Sequence, residues 1–309
     1  MHWHILGAGA IGLLWAGMLN RAGFTTTLLF RNSEKLAAFQ QTGKLSLTQA
    51  AHQEQDTQQY PADARLVSDP GRIDNLLLTT KAFAAVDAFN TVKPFLSADA
   101  RILLLHNGMG PQEALAQQNP ELNIWAGSTT DGAYQSAPYQ VVQAGKGETR
   151  IGALNGNMSG LFRQLSPAID NLIHEPDIIP VLWRKLAINC AINPLTAIFN
   201  CKNGELATNP EYRKEMAEIC TEVEQVARAL GITLFEKPLI EQACHVATVT
   251  ARNSSSMQQD VMHRRPTEID SITGFLCQQA AIAGIDVPAN QQLLMQVRKL
   301  QPETNIQDR

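Results

Sequence analysis

Read as a helix at about 100° per residue, the run WRKLAINCAINPLTAIFN from Trp183 to Asn200 gathers five polar residues into one narrow stripe. Lys185, Thr196, Asn189, Asn200 and Asn193 fall within roughly 80° of one another. Apart from Arg184, nearly everything else around the circumference is apolar. A helix of that kind is normally buried, and an ammonium or amide taken inside with it is costly unless paired. The stripe therefore reads in two ways: an enclosed polar slot for a small molecule, or a satisfied network that supports helix packing. Pro194 is expected to disturb the helix about midway, which loosens the alignment of Thr196 and Asn200.

A second set of residues points to a phosphate. Gly7, Ala8, Gly9, Ala10, Ile11 and Gly12 fit G-x-G-x-x-G, directly after an apolar strand and at the opening of a helix. Such glycines allow the tight turn, the approach of a pyrophosphate and close helix–strand packing, while the helix N-terminus attracts the anion. The alternative is a tight turn that binds nothing. After the next strand, where an acid would hold the ribose hydroxyls of NAD, the chain reads Phe30-Arg31-Asn32. A guanidinium there suits a 2′-phosphate, so NADP is expected over NAD. The alternative is that Arg31 is a surface cation of an enzyme that accepts either cofactor. Lys81 and Asn107 lie just past two further predicted strands, at the edge where ligands bind such sheets. Each is a candidate cofactor contact, and Asn107 a substrate contact too, or else an ordinary loop residue.

These residues need elements to hold them. At 309 residues the chain is long enough for two domains with real cores. Apolar strands alternate with helices through the first half, which argues for a Rossmann-type, doubly wound α/β domain over residues 1–176. Leu45 to Tyr60 reads as a solvated connection or short hairpin. Tyr139 to Gly152 reads as an antiparallel pair added to the sheet. From Trp183 onward the pattern is helical, giving a mainly α-helical C-terminal domain over 177–309. One helix is expected over Thr267 to Gly284, and another after Pro288.

Composition excludes several classes. Hydrophobic content is 44%, charged content 17% and net charge −4, with a pI near 6.0, which gives no reason to expect nucleic acid or anionic membrane as partner. No apolar run reaches spanning length, and the first residues already read as a strand, so no signal peptide is expected. Five widely spaced cysteines without C-x-x-C suit reduced thiols in a cytoplasmic protein. The seven histidines show no metal-ligand spacing, so no metal is expected.

GAGAIG, TTKAF, HNGMG, WRKLAINCAINPLTAIFNCKNGEL, NSSSM and PTEIDSITGFL stand in an order and spacing that resembles the ketopantoate reductase (2-dehydropantoate 2-reductase) family, over essentially the whole chain. The resemblance implies NADPH-dependent reduction of 2-dehydropantoate to (R)-pantoate, on the path to pantothenate and coenzyme A. It also implies an active site between a Rossmann domain and a helical domain. By motif, Lys185 matches the catalytic lysine, and Asn189, Asn193 and Asn203 match substrate-contacting amides. Ser256 of NSSSM matches the serine that holds the substrate carboxylate. Glu268 of PTEID matches an acid associated with cofactor and lysine, and Asn107 matches a residue shared by cofactor and substrate. Ala133 should pass close to the nicotinamide, although Asp131 stands where some relatives carry another residue.

The chemistry follows. A ketone oxygen gains negative charge as hydride arrives, so a donor aimed at it stabilises that charge and can deliver the proton. In an apolar slot the pKa of Lys185 would fall from about 10.4 towards the working range, with Glu268 restraining the fall. Simpler roles compete: Glu268 as a first-turn acid favouring the helix dipole, and Ser254 to Ser256 as a hydroxyl-rich cap. Other readings of the chain are a non-catalytic NADPH-sensing regulator, a dimerisation module, or an NADP-dependent reductase of another branched 2-oxo acid. A homo-oligomer is compatible with all of them.

Overall fold

The computed structural model describes residues 1–51, 54–156 and 160–302. The chain divides into two compact units. One comprises Met1–His106 and Pro111–Ile178; the other comprises Asn107–Gly110 and Ile179–Arg309.

Among the described residues, the first unit holds every strand. In chain order they are β1 (His2–Leu6), β2 (Thr25–Phe30), β3 (Lys44–Ala51), β4 (Glu54–Pro61), β5 (Asp63–Leu66), β6 (Ile73–Leu78), β7 (Leu96–Leu104), β8 (Asn123–Thr129), β9 (Gly132–Ala137), β10 (Gln140–Gly145), β11 (Thr149–Ala153) and β12 (Leu172–His174). Its helices are α1 (Ala10–Arg21), α2 (Ser33–Thr42), α3 (Ala85–Val92), α4 (Pro111–Gln118) and α5 (Gly160–Leu165). Eight strands form the main sheet, in the order β12-β11-β8-β7-β6-β1-β2-β5. All neighbours in it run parallel except β8 and β11.

The apolar strands explain the layering. Trp3, Ile5, Leu28, Leu77 and Leu103 face one side, where they bury α1 residues such as Leu13 and Leu14. Leu6, Leu29, Leu76, Leu78 and Ile102 face the other and cover Phe89 and Val92 of α3 and Leu115 of α4. With both faces covered, the strands read as near-continuous apolar runs. The doubly wound α/β expectation holds.

Of the two readings of Leu45 to Tyr60, the hairpin holds: β3 and β4 pair antiparallel along their full length, with positions 52 and 53 outside the described residues. Leu45 and Leu47 are buried against Gly17 of α1, where a Cβ would lie 3.0 Å from the Leu47 side chain. The Tyr139–Gly152 expectation needs correcting, because the segment is not one antiparallel pair. Its β10 joins β9 and β3 in a separate four-stranded sheet, ordered β4-β3-β10-β9, while β11 joins β8 in the main sheet. Alternation along the chain predicts strands, but sheet membership depends on partners distant in sequence.

The second unit is helical: α6 (Ile179–Phe199), α7 (Asn203–Thr208), α8 (Pro210–Ala229), α9 (Leu239–Val249), α10 (Ser256–Met262), α11 (Phe275–Ala283) and α12 (Pro288–Leu300). The nearly all-apolar α6 lies at its centre and packs against α8, α9, α10 and α12. Pro194 does not interrupt it, because helical backbone continues to Phe199 and Pro194 itself is buried. Packing on several sides outweighs the one hydrogen bond that proline removes. The expected helix from Thr267 also differs: Asp270–Gly274 form a π-helical turn that leads into α11. π turns of this kind are frequent at functional sites.

Candidate functional site

In the first unit, β1 lies between β2 and β6, the point at which strand order reverses, and the turn from β1 into α1 occupies its carboxyl end. Ligands of doubly wound sheets bind at that edge. Gly7 takes a φ of +116°, and a Cβ on it would lie 2.6 Å from the Thr80 nitrogen. A Cβ on Gly12 would fall 2.0 Å from the Gly7 carbonyl oxygen. Gly9 is different, because its Cβ would meet nothing within 4 Å. Two glycines are thus required by the protein's own packing, while the middle one faces open space. Helix α1 begins at Ala10 with no side-chain cap and no acid in its first turn. Its leading N–H groups and positive dipole end suit an anion. The residues fit a dinucleotide pyrophosphate.

Arg31 is exposed immediately after β2, and the next residue, Asn32, accepts the Lys35 N–H at 3.0 Å to cap α2. Lys81 precedes a short helical turn at Ala82–Ala84, beyond the end of β6. Ala133 on β9 packs on the unit's core, and Gln135 of the same strand donates to the Ala8 carbonyl at 2.9 Å. Asp131 is a corner tie, since its Oδ1 accepts from Gln143 at 3.0 Å and from the Gly147 N–H at 2.9 Å.

In the second unit, Asn107 to Gly110 dock on the π turn. The Met109 N–H donates to the Ser271 carbonyl at 2.8 Å. Gly108, at φ +76°, approaches so closely that a Cβ would lie 2.6 Å from that same oxygen. This seat brings the Asn107 amide to Glu268, to which it donates at 3.5 Å. Glu268 is only 4% exposed and sits just ahead of the π turn. From α6, Lys185 enters the same surroundings. Burial pulls its pKa down to about 8, and the Glu268 carboxylate opposes that fall. An ammonium so tuned is mostly protonated near neutrality yet gives up its proton readily. Asn107, Lys185 and Glu268 therefore form one cluster.

The rest of the stripe separates by role. Asn189 lies about one turn further along α6 and is partly buried; Asn193, about another turn on, is buried. Thr196 is fully enclosed, its hydroxyl 2.7 Å from Ser255 and 2.9 Å from the Asn193 carbonyl. Asn200 lies beyond the helix end, exposed, and accepts from Gln258 at 3.1 Å. Of the serines, buried Ser255 caps α10 by accepting the Gln258 N–H at 3.0 Å, whereas Ser256 is exposed at the first position of that helix. Asn203 is buried and donates to Thr250 at 2.9 Å, and its side-chain carbonyl oxygen has no hydrogen-bond partner among the described residues. Such an orphan acceptor is uncommon in a protein interior and suits a ligand hydroxyl.

Contacts absent from the sequence reading shape both parts. Ser271 seats the Gly108 loop, and Thr79 donates to the Gly7 carbonyl at 2.7 Å. Ser255, read from sequence only as part of a hydroxyl-rich cap, does cap α10 and also holds Thr196. Glycines hinted at the first two, since a glycine inside a motif signals a close neighbour without naming it. Burial holds the thiols of Cys190, Cys201, Cys220 and Cys277 above the ordinary cysteine range, which disfavours the reactive thiolate. Among the described residues no group of three or more His, Cys, Asp or Glu could hold a metal ion, and no helix is long and apolar enough to cross a membrane.

The family model described as ketopantoate reductase PanE/ApbA matches residues 3–156, and its C-terminal counterpart matches residues 177–301. A 2-dehydropantoate 2-reductase from Vibrio cholerae serotype O1 is 35% identical over 300 residues, covering 96% of this chain and 97% of that protein. The Archaeoglobus fulgidus protein of the same name is 31% identical over 95% of this chain and 96% of its own length. A solved PanE/ApbA family ketopantoate reductase from Ralstonia eutropha JMP134 has a TM-score of 0.87 at 28% identity, covering 97% of this chain and 98% of that one. A D-mandelate dehydrogenase, solved with NADH and anilino(oxo)acetate, has a TM-score of 0.84 over the same shares; at 23% identity it shows the fold alone.

Proposed function

The chain belongs to the ketopantoate reductase family of oxidoreductases, and on that premise we propose that it reduces 2-dehydropantoate to (R)-pantoate with NADPH, as a cytoplasmic enzyme of pantothenate and coenzyme A synthesis. The observation that carries the reading is Lys185 beside Glu268, a partly buried lysine whose pKa desolvation brings down to about 8 and a buried carboxylate restrains.

In this reading residues 1–176 hold the cofactor. Gly7, Ala8, Gly9, Ala10, Ile11 and Gly12 cradle its pyrophosphate, Arg31 pairs with the 2′-phosphate, and Lys81 and Ala133 flank the remainder. Support comes from the open space at Gly9 and the uncapped start of α1. NADPH, when bound, supplies the hydride.

Residues 177–309, together with Asn107, bind the substrate and manage the proton. Lys185 holds it on Nζ and donates it to the ketone oxygen as negative charge builds there. Glu268 keeps enough of the lysine charged, and the family resemblance assigns it to the cofactor as well. Asn189 and Asn193 orient the substrate's carbonyl and hydroxyl without adding charge. The unpartnered oxygen of Asn203 accepts a hydroxyl, and Ser256 holds the carboxylate. Asn107 serves cofactor and substrate together.

The test follows loss of NADPH absorbance against a panel of 2-oxo acids. The panel includes aromatic ones, because a D-mandelate dehydrogenase shares the fold. Turnover led by 2-dehydropantoate is expected. Poor turnover of it beside rapid turnover of another branched acid would overturn the substrate and leave the reaction class standing.

A further inference from the structure

Each carbonyl oxygen of the glycine turn has a hydrogen-bond donor on it. Thr79 Oγ1 donates to Gly7 O at 2.7 Å, and the Leu13 N–H donates to Gly9 O at 2.9 Å. Between them, Ala8 O receives Gln135 Nε2 at 2.9 Å. A carbonyl only accepts, so the amide nitrogen rather than its oxygen must face Ala8. The first two donors belong to packed structure beside the turn. Gln135 is different, because it is an exposed side chain that reaches in from β9, far along the chain.

That contact has two physical consequences. Ala8 O is part of the Ala8–Gly9 peptide, and across a trans peptide the C=O and N–H point to opposite sides. A donor held on the oxygen side thereby presents the Gly9 N–H on the other. The donor also neutralises an oxygen whose partial negative charge would repel an incoming phosphate, and polarising the C=O strengthens the N–H of the same peptide. The other two carbonyls are already covered, so without Gln135 the Ala8 oxygen would be the exposed repulsive group of the turn.

We propose that Gln135 is a positioning residue for the cofactor's pyrophosphate: it orients the Ala8–Gly9 peptide and covers the Ala8 oxygen. The inference rests on the dinucleotide reading above and adds a residue to it. Because a preset donor acts only on a ligand that carries the 5′-phosphates, the effect is selective.

Fluorescence titration with NADPH, alongside calorimetric binding of 2′-AMP, tests this on the full chain. In Gln135→Ala the NADPH dissociation constant rises roughly fivefold to tenfold, the scale of one hydrogen bond serving a charged ligand. Affinity for 2′-AMP, which lacks the pyrophosphate, stays at the wild-type value, as does the thermal midpoint without ligand. Gln135→Met, which keeps the reach but has no N–H donor, loses NADPH affinity as Gln135→Ala does. NADPH affinity within twofold of wild type in Gln135→Ala would overturn the proposal, as would equal losses for both ligands. A wild-type chain that binds 2′-AMP but no NADPH would overturn the dinucleotide reading itself, and the positioning role with it.

Discussion

The side-chain amide of Asn107 donates to the Glu268 carboxylate at 3.5 Å, across more than a hundred and fifty residues of chain. The contact is long, and what makes it meaningful is its setting. Glu268 is buried, acts electrostatically on Lys185, and precedes a π turn on which the Asn107 loop is seated through Met109 and Ser271. Two candidate residues from separate stretches of chain, Asn107 and Lys185, thus converge on the buried carboxylate of a third.

This arrangement sets a pH dependence. Burial lowers the Lys185 pKa from 10.5 to about 8, so the acid form is present below that value and lost above it. Activity under kcat/KM conditions should fall as pH rises through about 8. Glu268 acts to raise this pKa; removing its charge in Glu268→Gln should move the alkaline limb to lower pH. An unmoved or upward-shifted limb in pH–rate profiles would contradict the pairing.

Lys185→Ala should lower kcat by about 10²- to 10⁴-fold, the usual range for a lost general acid. NADPH affinity should remain within about threefold, since the glycine turn is untouched. Near-normal turnover would remove lysine from the mechanism.

The three glycines of the turn should behave differently. Gly9→Ala meets no atom within 4 Å and starts from φ −79°, a conformation alanine adopts freely. Its thermal midpoint should stay close to wild type while NADPH binding weakens at least tenfold, as the new methyl fills the ligand's space. Gly12→Ala, aimed at the Gly7 oxygen from 2.0 Å, should destabilise the unit before any ligand is added. Equal loss of stability at both positions, read by thermal denaturation, would refute this division.

Arg31→Ala should raise the NADPH dissociation constant about tenfold or more while leaving that for NADH within about twofold, because a 2′-phosphate alone needs the guanidinium. Parallel changes for the two cofactors would make Arg31 a surface cation.

Gly108→Ala should lower kcat about tenfold or more and lower the thermal midpoint by a few degrees. Its Cβ would lie 2.6 Å from the Ser271 oxygen at a φ of +76°, so the loop that carries Asn107 must shift. Normal kinetics in this variant would show that the seat on Ser271 does not position Asn107.

Much of this was legible in one dimension, because local chemistry has local signatures. The glycine turn announces itself, since a strand, three spaced glycines and a helix start are neighbours in sequence. The α6 stripe is visible because helical periodicity alone aligns Lys185, Asn189 and Asn193. The same periodicity aligns Thr196 and Asn200 with them; Pro194 set those two apart in the sequence, and packing decided what each does. Thr196 is locked to Ser255, and Asn200 falls outside the helix. Periodicity likewise found β10 and β11 but not their different sheets, and found an acid near a helix start but not its burial beside Lys185. By itself the sequence determined which residues share a face, a turn or a strand, because those relations depend on backbone geometry over a few residues. The tertiary structure alone decided that Gln135 meets the Ala8 carbonyl, what Gly108 rests on, and how far the Lys185 pKa falls. Those depend on partners brought together from distant positions, and on the water that such meetings exclude.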